Sequence, residues 1–335
     1  MNLVTGATGL LGTRVVYDLL QKGEKVRAAK RENSDLETMS SVFKYYGDQE
    51  LFLFKQIEWV DLDLLDVTNV YESLEAITKV FHCAAIVSFH YSDYELMYQT
   101  NVIGTRNMVN SALERKIDYF VHVSSTAAIG KSKEEFQKES NAWKTDDKNS
   151  YYTLSKHVAE QEVWRGIEEG LTAVIVNPCI IIGPSNWNRS STSLFKTIKK
   201  GLKFYTNGAN AYVDVRDVSE IMQTLVEREI HTDRFLCIGE NMSYLDLFTK
   251  IAKSFLVKAP HIEAKAWQAN LVWKLEDIKY RLTGKKPVIT KETARSAQQV
   301  TKFSNYKVCE KLGFKFRSIQ GAVDYTSAYF IQENQ

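Results

Sequence analysis

The sequence has few cysteines, few prolines and no long apolar segment. Its four cysteines are far apart and form neither a C-x-x-C pair nor a group with histidine. This argues against a metal site or a disulfide framework and predicts reduced, mostly buried thiols. No apolar run reaches the roughly 18 residues of a membrane span, and the first residues are typical of a strand, not of a signal peptide. We therefore expect a cytoplasmic protein.

The charge balance is close to neutral. The formal net charge of +2 is too small to indicate a nucleic-acid or membrane partner. The chain has 335 residues, of which 44% are hydrophobic. This composition is ordinary for a globular protein and allows one large domain or two interlocked ones.

Short β-branched or aliphatic runs alternate with amphipathic stretches through the first half of the chain. This alternation is typical of βα units and predicts an α/β fold with a doubly wound parallel sheet, the Rossmann type. The first predicted helix is Leu10–Gln21, which has an apolar stripe. The predicted strands are Met1–Thr5, Lys25–Lys30, Ile57–Val60, Lys79–Cys83, Asp118–Val123 and Thr172–Val176.

Three glycines lie between the first predicted strand and the first predicted helix. A glycine permits an unusual backbone turn, lets the chain approach a pyrophosphate and lets helix and strand pack closely. The helix N-terminus then offers free N–H groups to the anion. We predict a dinucleotide site formed by Gly6, Thr8, Gly9, Leu10, Leu11 and Gly12.

The G-x-x-G-x-x-G spacing of this loop resembles the short-chain dehydrogenase/reductase superfamily, in particular its extended branch. The end of the second strand bears on the choice of dinucleotide. NAD sites place an acidic residue there for the ribose 2′-hydroxyl, whereas NADP sites place cations there for the 2′-phosphate. Here the strand ends in Lys30-Arg31. Arg31 is the expected phosphate partner because its planar fork matches phosphate oxygens, with Lys30 as a neighbouring charge. Glu32 follows directly and leaves NAD as the alternative.

A tyrosine and a lysine four residues apart, Tyr152 and Lys156, begin another predicted helix and share one face of it. A nearby ammonium lowers the pKa of a tyrosine, so that its hydroxyl can exchange a proton with a carbonyl or alcohol oxygen.

The fifth strand ends in hydroxyl residues at the carboxyl edge of the sheet, where catalytic groups collect. The family resemblance selects Ser125 among them, with Ser124 as a structural residue.

The resemblance implies further cofactor contacts. It assigns Asp63 and Leu64 to the adenine ring, and Ala84 and Ala85 to the backbone segment along the cofactor. Asn101 matches an asparagine with a structural or proton-relay role. Pro178 lies in a segment that passes the nicotinamide and enters the substrate domain.

We expect two domains on this basis. Residues 1–180 form the NADP-binding domain, to which residues 209–230 return, and residues 181–335 form a smaller substrate-binding domain. Ile180–Trp187 is predicted to be a loop, and Val218–Arg228 a helix with Asp217 as its N-cap.

The resemblance covers nearly the whole chain and is strongest to the dihydroflavonol-4-reductase-like group. It implies a reductase that transfers hydride from NADPH to a ketone or aldehyde. Two alternatives remain: a nucleotide-sugar epimerase with a tightly held cofactor, and a non-catalytic NADP-binding sensor or scaffold. Family dehydratases usually carry Thr-Asp-Glu where this chain has Ser125-Thr126-Ala127, which counts against dehydration. The substrate, and the choice between monomer and homodimer, stay open.

Overall fold

The computed structural model describes residues 1–47, 51–145, 149–188 and 191–333. Its strands are β1 Asn2–Thr5, β2 Val26–Lys30, β3 Glu58–Asp61, β4 Lys79–His82, β5 Tyr119–Val123, β6 Phe136–Gln137, β7 Ala173–Pro178, β8 Ile180–Ile182, β9 Phe204–Tyr205, β10 Ala209–Asp214, β11 Asp233–Cys237, β12 Glu240–Ser243, β13 Ile262–Glu263 and β14 Lys302–Phe303. Its α-helices are α1 Leu10–Gln21, α2 Leu36–Tyr46, α3 Phe52–Lys55, α4 Val67–Ser73, α5 Tyr94–Met97, α6 Gly104–Glu114, α7 Tyr151–Glu168, α8 Thr192–Lys199, α9 Val215–Glu227, α10 Tyr244–Ser254, α11 Ala266–Thr283, α12 Lys291–Ser296, α13 Tyr306–Leu312 and α14 Ile319–Glu333.

The largest sheet is parallel throughout and has the order β11-β7-β5-β4-β1-β2-β3. From β1 the chain builds β2 and β3 on one side and then crosses back to build β4, β5, β7 and β11 on the other. The strand order reverses between β1 and β4, and ligands of doubly wound sheets bind at such a point, beyond the carboxyl ends of the strands. The predicted fold class is confirmed.

Helices cover both faces of this sheet. Helices α1 and α9 pack together on one face through residues such as Val15, Val218 and Ile221. On the other face α4, α6 and α7 pack through residues such as Val70 and Met108. Because both faces are covered, the central strands consist of consecutive apolar residues, as in the fully buried segment Ala173–Val176.

A second, smaller sheet has the order β12-β10-β8. It packs with α8, α10 and α14 around a separate apolar cluster that includes Phe195, Tyr212, Leu247 and Val323. Helix α9 follows β10 and lies on the large sheet beside α1. The division of the chain at residue 180 and the return over residues 209–230 stay predictions.

Three local expectations were wrong. The large sheet has a seventh strand, β11, that we did not predict, because its first residues are the charged Asp233 and Arg234. Lys307 and Lys311 form ion pairs with Asp233, and these pairs offset the free-energy cost of placing its carboxylate at the start of a strand. Part of the predicted loop after Pro178 is strand β8, which pairs with β10.

The third error concerns the start of α9. The helix begins one turn earlier than predicted, because the carboxylate of Asp214 accepts a hydrogen bond of 2.8 Å from the Arg216 N–H and caps it. Asp217 lies within the helix and is fully buried, where it pairs with Arg317. Among the described residues, no helix is long and apolar enough to cross a membrane.

Candidate active site

The glycine turn after β1 is too crowded for side chains. Gly6 has a φ of +63°, and a Cβ there would lie 2.8 Å from the Cα of Ala84. A Cβ on Gly12 would lie 2.1 Å from the carbonyl oxygen of Gly6. Glycine is therefore required at both positions, because the turn presses against the segment after β4 and against its own helix.

Helix α1 begins without a side-chain cap. Its N-cap is Gly9, whose carbonyl accepts the N–H of Thr13 at 2.9 Å. The N–H groups of the first turn, which includes Leu10 and Leu11, have no partner within the helix and are suited to an anion. Thr8 is half-buried at the turn. The predicted dinucleotide loop thus has the close approach and the free donors that a pyrophosphate requires.

The cations at the end of β2 differ in their surroundings. The register of β2 and β3 places Lys30 opposite Asp61, and the two side chains form an ion pair. Arg31 is exposed, and its side chain has no ion pair among the described residues. Its backbone N–H donates to the Ser34 hydroxyl at 2.9 Å. The guanidinium is therefore available to a ligand, while the charge of Lys30 is partly compensated.

Asp63 and Leu64 lie in the turn after β3. The Asp63 carboxylate accepts the N–H of Leu65 at 2.9 Å, so the side chain fixes the local turn. Leu64 is buried against Gly104 at the start of α6, and its carbonyl accepts a 2.9 Å bond from the Asn107 amide.

Asn101 holds the segment that follows β4. Its Oδ1 accepts the N–H of Ile86 at 2.7 Å, and its Nδ2 donates to the carbonyl of Ile86 at 2.9 Å and to the Ser155 hydroxyl at 3.1 Å. Asn101 belongs to a π-helical stretch, Tyr98–Ile103. Such stretches are frequent at functional sites. The side chain thereby ties the segment containing Ala84 and Ala85 to helix α7.

His82 joins the glycine turn to this asparagine. The Thr105 hydroxyl donates to the carbonyl of Asn101 at 2.6 Å, so its oxygen accepts from His82 Nε2, 3.1 Å away. His82 Nδ1 then accepts from the hydroxyl of Thr5 at 2.8 Å. Burial, with help from the charge of Lys156, lowers the pKa of His82 to about 3. The ring is therefore neutral and held in one tautomer.

Tyr152, Ser125 and Lys156 converge at the carboxyl end of β5. Tyr152 and Lys156 are one turn apart on α7, which is capped by the Ser150 hydroxyl accepting the Thr153 N–H at 3.0 Å. The Ser125 side chain lies near enough to the Tyr152 phenol to lower its pKa. Lys156 is 2% exposed, and its ammonium donates to the carbonyl of Val123 at 2.8 Å. The structure thus brings the three predicted residues together.

The pKa values of these groups depart from one expectation. Burial raises the pKa of the Tyr152 phenol, and the nearby Ser125 side chain only partly opposes this. We expected Lys156 to lower it, but the ammonium is engaged with the Val123 carbonyl. Burial also lowers the pKa of Lys156 to about 8, although Glu160 and Cys83 favour its charged form. At neutral pH the phenol is protonated, and most of the lysine is charged.

A buried polar network lies behind Lys156, and sequence reasoning missed it. Glu160 is fully buried one turn after Lys156. Its carboxylate accepts from the Ser124 hydroxyl at 2.7 Å and from the Asn177 amide at 2.8 Å, and it pairs with Arg234 at 2.8 Å. Ser124 thus takes part in this network, and its structural role stays a prediction. The four-residue spacing between Lys156 and Glu160 was the available signal.

Two further residues border the site. Pro178 is buried at the end of β7, directly after Asn177, whose amide donates to the carbonyl of Ser125 at 3.1 Å. Glu292 of α12 lies near the backbone N–H of Tyr151 at the start of α7. Its Oε2 is buried and has no partner among the described residues, and burial raises the pKa of the carboxyl. Nothing in the sequence pattern singled out Glu292.

Known proteins share this architecture. The model of the NAD dependent epimerase/dehydratase family matches residues 2–239. Cinnamoyl-CoA reductase 1 of Petunia hybrida is 31% identical over 263 residues, which cover 75% of this chain and 76% of that protein. A Synechocystis sp. protein provisionally named dihydroflavonol 4-reductase is 28% identical over 96% of this chain and 91% of its own length. The crystal structure of gox2253 has a TM-score of 0.82 and 30% identity, and covers 99% of this chain and 98% of that one.

We predict that Lys156→Met makes the protein more stable at pH 7. Between about 8, the folded pKa of Lys156, and 10.5, its ordinary value, the unfolded chain binds more protons, so parent stability rises with pH. The variant's gain in free energy of unfolding, on the order of 3 kcal/mol at most, should therefore shrink as the pH rises through this window. Urea unfolding of both proteins from pH 7 to pH 10.5 measures it. The exposed Lys200→Met is the control. A stability difference that does not change with pH would contradict the prediction.

Proposed function

The chain belongs to the NAD dependent epimerase/dehydratase family, within the extended short-chain dehydrogenases/reductases, and from this premise we propose that it is an NADPH-dependent reductase of a ketone or aldehyde. The observation that carries the proposal is the meeting of the Tyr152 phenol and the Ser125 side chain, with the buried Lys156 ammonium one helical turn away. All three groups lie at the carboxyl edge of the sheet, where the family places its nicotinamide cofactor.

Tyr152 acts as the general acid. When bound, NADPH supplies the hydride for the carbonyl carbon, and the carbonyl oxygen then needs a proton. The raised pKa of Tyr152 keeps the phenol protonated and able to give that proton. The Ser125 hydroxyl holds the same substrate oxygen and stabilises its developing charge.

Lys156 places a positive charge one helical turn from the phenolate that remains, although in the resting site this charge does not offset the effect of burial on the Tyr152 pKa. Its ammonium is positively charged at neutral pH even though burial lowers its pKa to about 8, because the carboxylate of Glu160 favours the charged form. The carbonyl of Val123 fixes the ammonium at 2.8 Å and so limits its movement. We assign Glu160 as a positioning residue for this charge.

NADPH is proposed over NADH because of the end of β2. No acidic residue terminates this strand, and the exposed guanidinium of Arg31 is free to pair with a 2′-phosphate. For the rest of the cofactor we retain the sequence assignments: the glycine loop for the pyrophosphate, Asp63 and Leu64 for the adenine, and Ala84, Ala85, Asn101 and Pro178 along the nicotinamide half.

We predict that Tyr152→Phe lowers kcat by about 10²–10⁴-fold, the range for loss of a general acid, with little change in NADPH affinity. The neighbouring Tyr151→Phe is a matched control, since Tyr151 is exposed and its ring packs at a tilt against Tyr94. It should retain parental activity. Single-turnover kinetics with a reducible carbonyl compound measures both. If Tyr152→Phe kept activity within about threefold of the parent, Tyr152 would not be the acid.

We predict that Arg31→Ala weakens NADPH binding by about 1.5–3 kcal/mol and affects NADH far less, because the lost bonds are to a charged phosphate. Lys25→Ala, at the opposite end of the same strand, should affect neither cofactor. Fluorescence titration with the two dinucleotides measures these changes. Equal losses for both cofactors, or a parent that prefers NADH, would show that the phosphate is not bound by Arg31.

A reductase must release oxidised cofactor in every turnover, whereas an epimerase returns the hydride to the same substrate and retains its cofactor. We therefore predict that purified protein carries less than one equivalent of cofactor and that added NADPH is consumed one-for-one with a reduced carbonyl compound. A carbonyl panel followed by nicotinamide absorbance tests this. Cofactor that survives desalting, with interconversion of a nucleotide-sugar and no net absorbance change, would assign an epimerase instead.

A further inference from the structure

Helix α11 carries several large apolar side chains on its outer side. Five of them, Trp267, Leu271, Leu275, Ile278 and Leu282, are spaced by three or four residues and are between 52% and 80% exposed. At about 100° per residue they fall within an arc of roughly 80° on one side of the helix. We call these five residues the α11 stripe. No residue of this helix is buried.

The opposite side of α11 holds the helix against the protein. The ring of Tyr280 lies 4.5 Å from that of His90 and 6.2 Å from that of Tyr91, measured between centroids. Just beyond the helix, Lys286 pairs with Asp93 at 2.7 Å. Since Tyr280 is roughly 180° from the centre of the stripe, these contacts turn the stripe away from the rest of the chain.

Positive charge surrounds the stripe. Residues 265–286 contain six lysine and arginine residues and two acidic ones, a local surplus of four charges in a chain whose total is only +2. On the helical wheel Lys274 and Arg281 flank one side of the stripe and Lys279 the other. Glu276 and Asp277 lie toward the protein and pair with Lys279 and Arg281. Both of these cations remain more than half exposed, so such pairs neutralise them little in water.

We propose that α11 docks on an anionic lipid surface, with the α11 stripe in the interface and the flanking cations at the headgroups. Amphipathic helices that lie on membranes combine an apolar face, often with tryptophan, and basic residues whose charged ends reach the headgroups. Each such cation contributes about 1 kcal/mol near an anionic membrane. This local pattern is hidden in the net charge of the whole chain, which indicated no membrane partner.

The same charges disfavour a second copy of the chain as the occupant. A two-fold contact through the α11 stripe would bring the flanking cations of both helices together, while Glu276 and Asp277 lie toward the protein and outside that contact. Closure of the helix over the candidate site is disfavoured as well. For such a closure the helix would have to rotate about its axis until the α11 stripe faced the protein, and this rotation would break the contacts of Tyr280 and Lys286.

Vesicle co-sedimentation tests the proposal. Vesicles of phosphatidylcholine with about 30% phosphatidylserine, whose headgroups are anionic, should bind the protein, and pure phosphatidylcholine should bind it far less. Leu271→Ser combined with Leu275→Ser should weaken binding on the order of tenfold or more, since the apolar area that enters the interface is lost. Leu256→Ser, at another highly exposed leucine, is the matched control and should bind like the parent.

A second pair of variants isolates the charge. Lys274→Glu with Lys285→Glu should abolish the preference for anionic vesicles, while Lys131→Glu with Lys133→Glu, equally exposed but distant in sequence, should preserve it. All variants should keep the parental circular dichroism and carbonyl reduction in solution, because none alters the candidate site. The proposal is overturned if the parent does not bind anionic vesicles or if the stripe variants bind as well as the parent. It is equally overturned if sedimentation shows a dimer that the stripe variants dissociate.

Discussion

The ammonium of Lys156 is buried between helix α7 and strand β5, and much of the surrounding structure serves to keep a charge in that position. Its bond to the Val123 carbonyl sets the distance between helix and strand. Burial disfavours the charge, and Glu160 compensates for it one turn along the helix. An uncompensated buried charge costs several kcal/mol, so the position of Lys156 requires the groups that surround Glu160.

Those groups come from four separate parts of the chain. Ser124 follows β5, Asn177 precedes the last residue of β7, Arg234 is the second residue of β11, and Glu160 itself belongs to α7. Edge strand β11 therefore contributes directly to the electrostatics of the site, although it lies two strands from β5 in the sheet. Breaking a buried pair such as Arg234 with Glu160 leaves a charge without a partner, which links the stability of this sheet edge to the state of Lys156.

A second buried polar chain organises the cofactor side. Thr5, His82, Thr105 and Asn101 form consecutive hydrogen bonds whose donors and acceptors are consistent with only one histidine tautomer. The neighbouring His122 is buried without a hydrogen-bond partner in the described part of the chain, and its pKa lies well below the ordinary value because of burial and the charge of Lys156. Both rings are thus neutral, whereas Lys156, one helical turn from Tyr152, carries a charge.

The amino-acid sequence by itself determined the features that depend on residues close together in the chain. The bounds of α1, the crowded glycine turn and the shared face of Tyr152 and Lys156 follow from local spacing, because a helix or a tight turn imposes its requirements within a few residues.

Only the tertiary structure decided which distant groups meet. The register of two strands paired Lys30 with Asp61, and Arg31 has no ion pair in the part of the chain that the structure describes. The fold also brought Arg234 to Glu160, and burial raised rather than lowered the pKa of Tyr152. It also left the apolar side of α11 facing outward, which periodicity alone could not distinguish from a core-facing helix. The reason is the same in each case. The burial and the pairing of a side chain depend on what the fold packs against it, and the local sequence does not indicate which residues, tens of positions away, will make that contact.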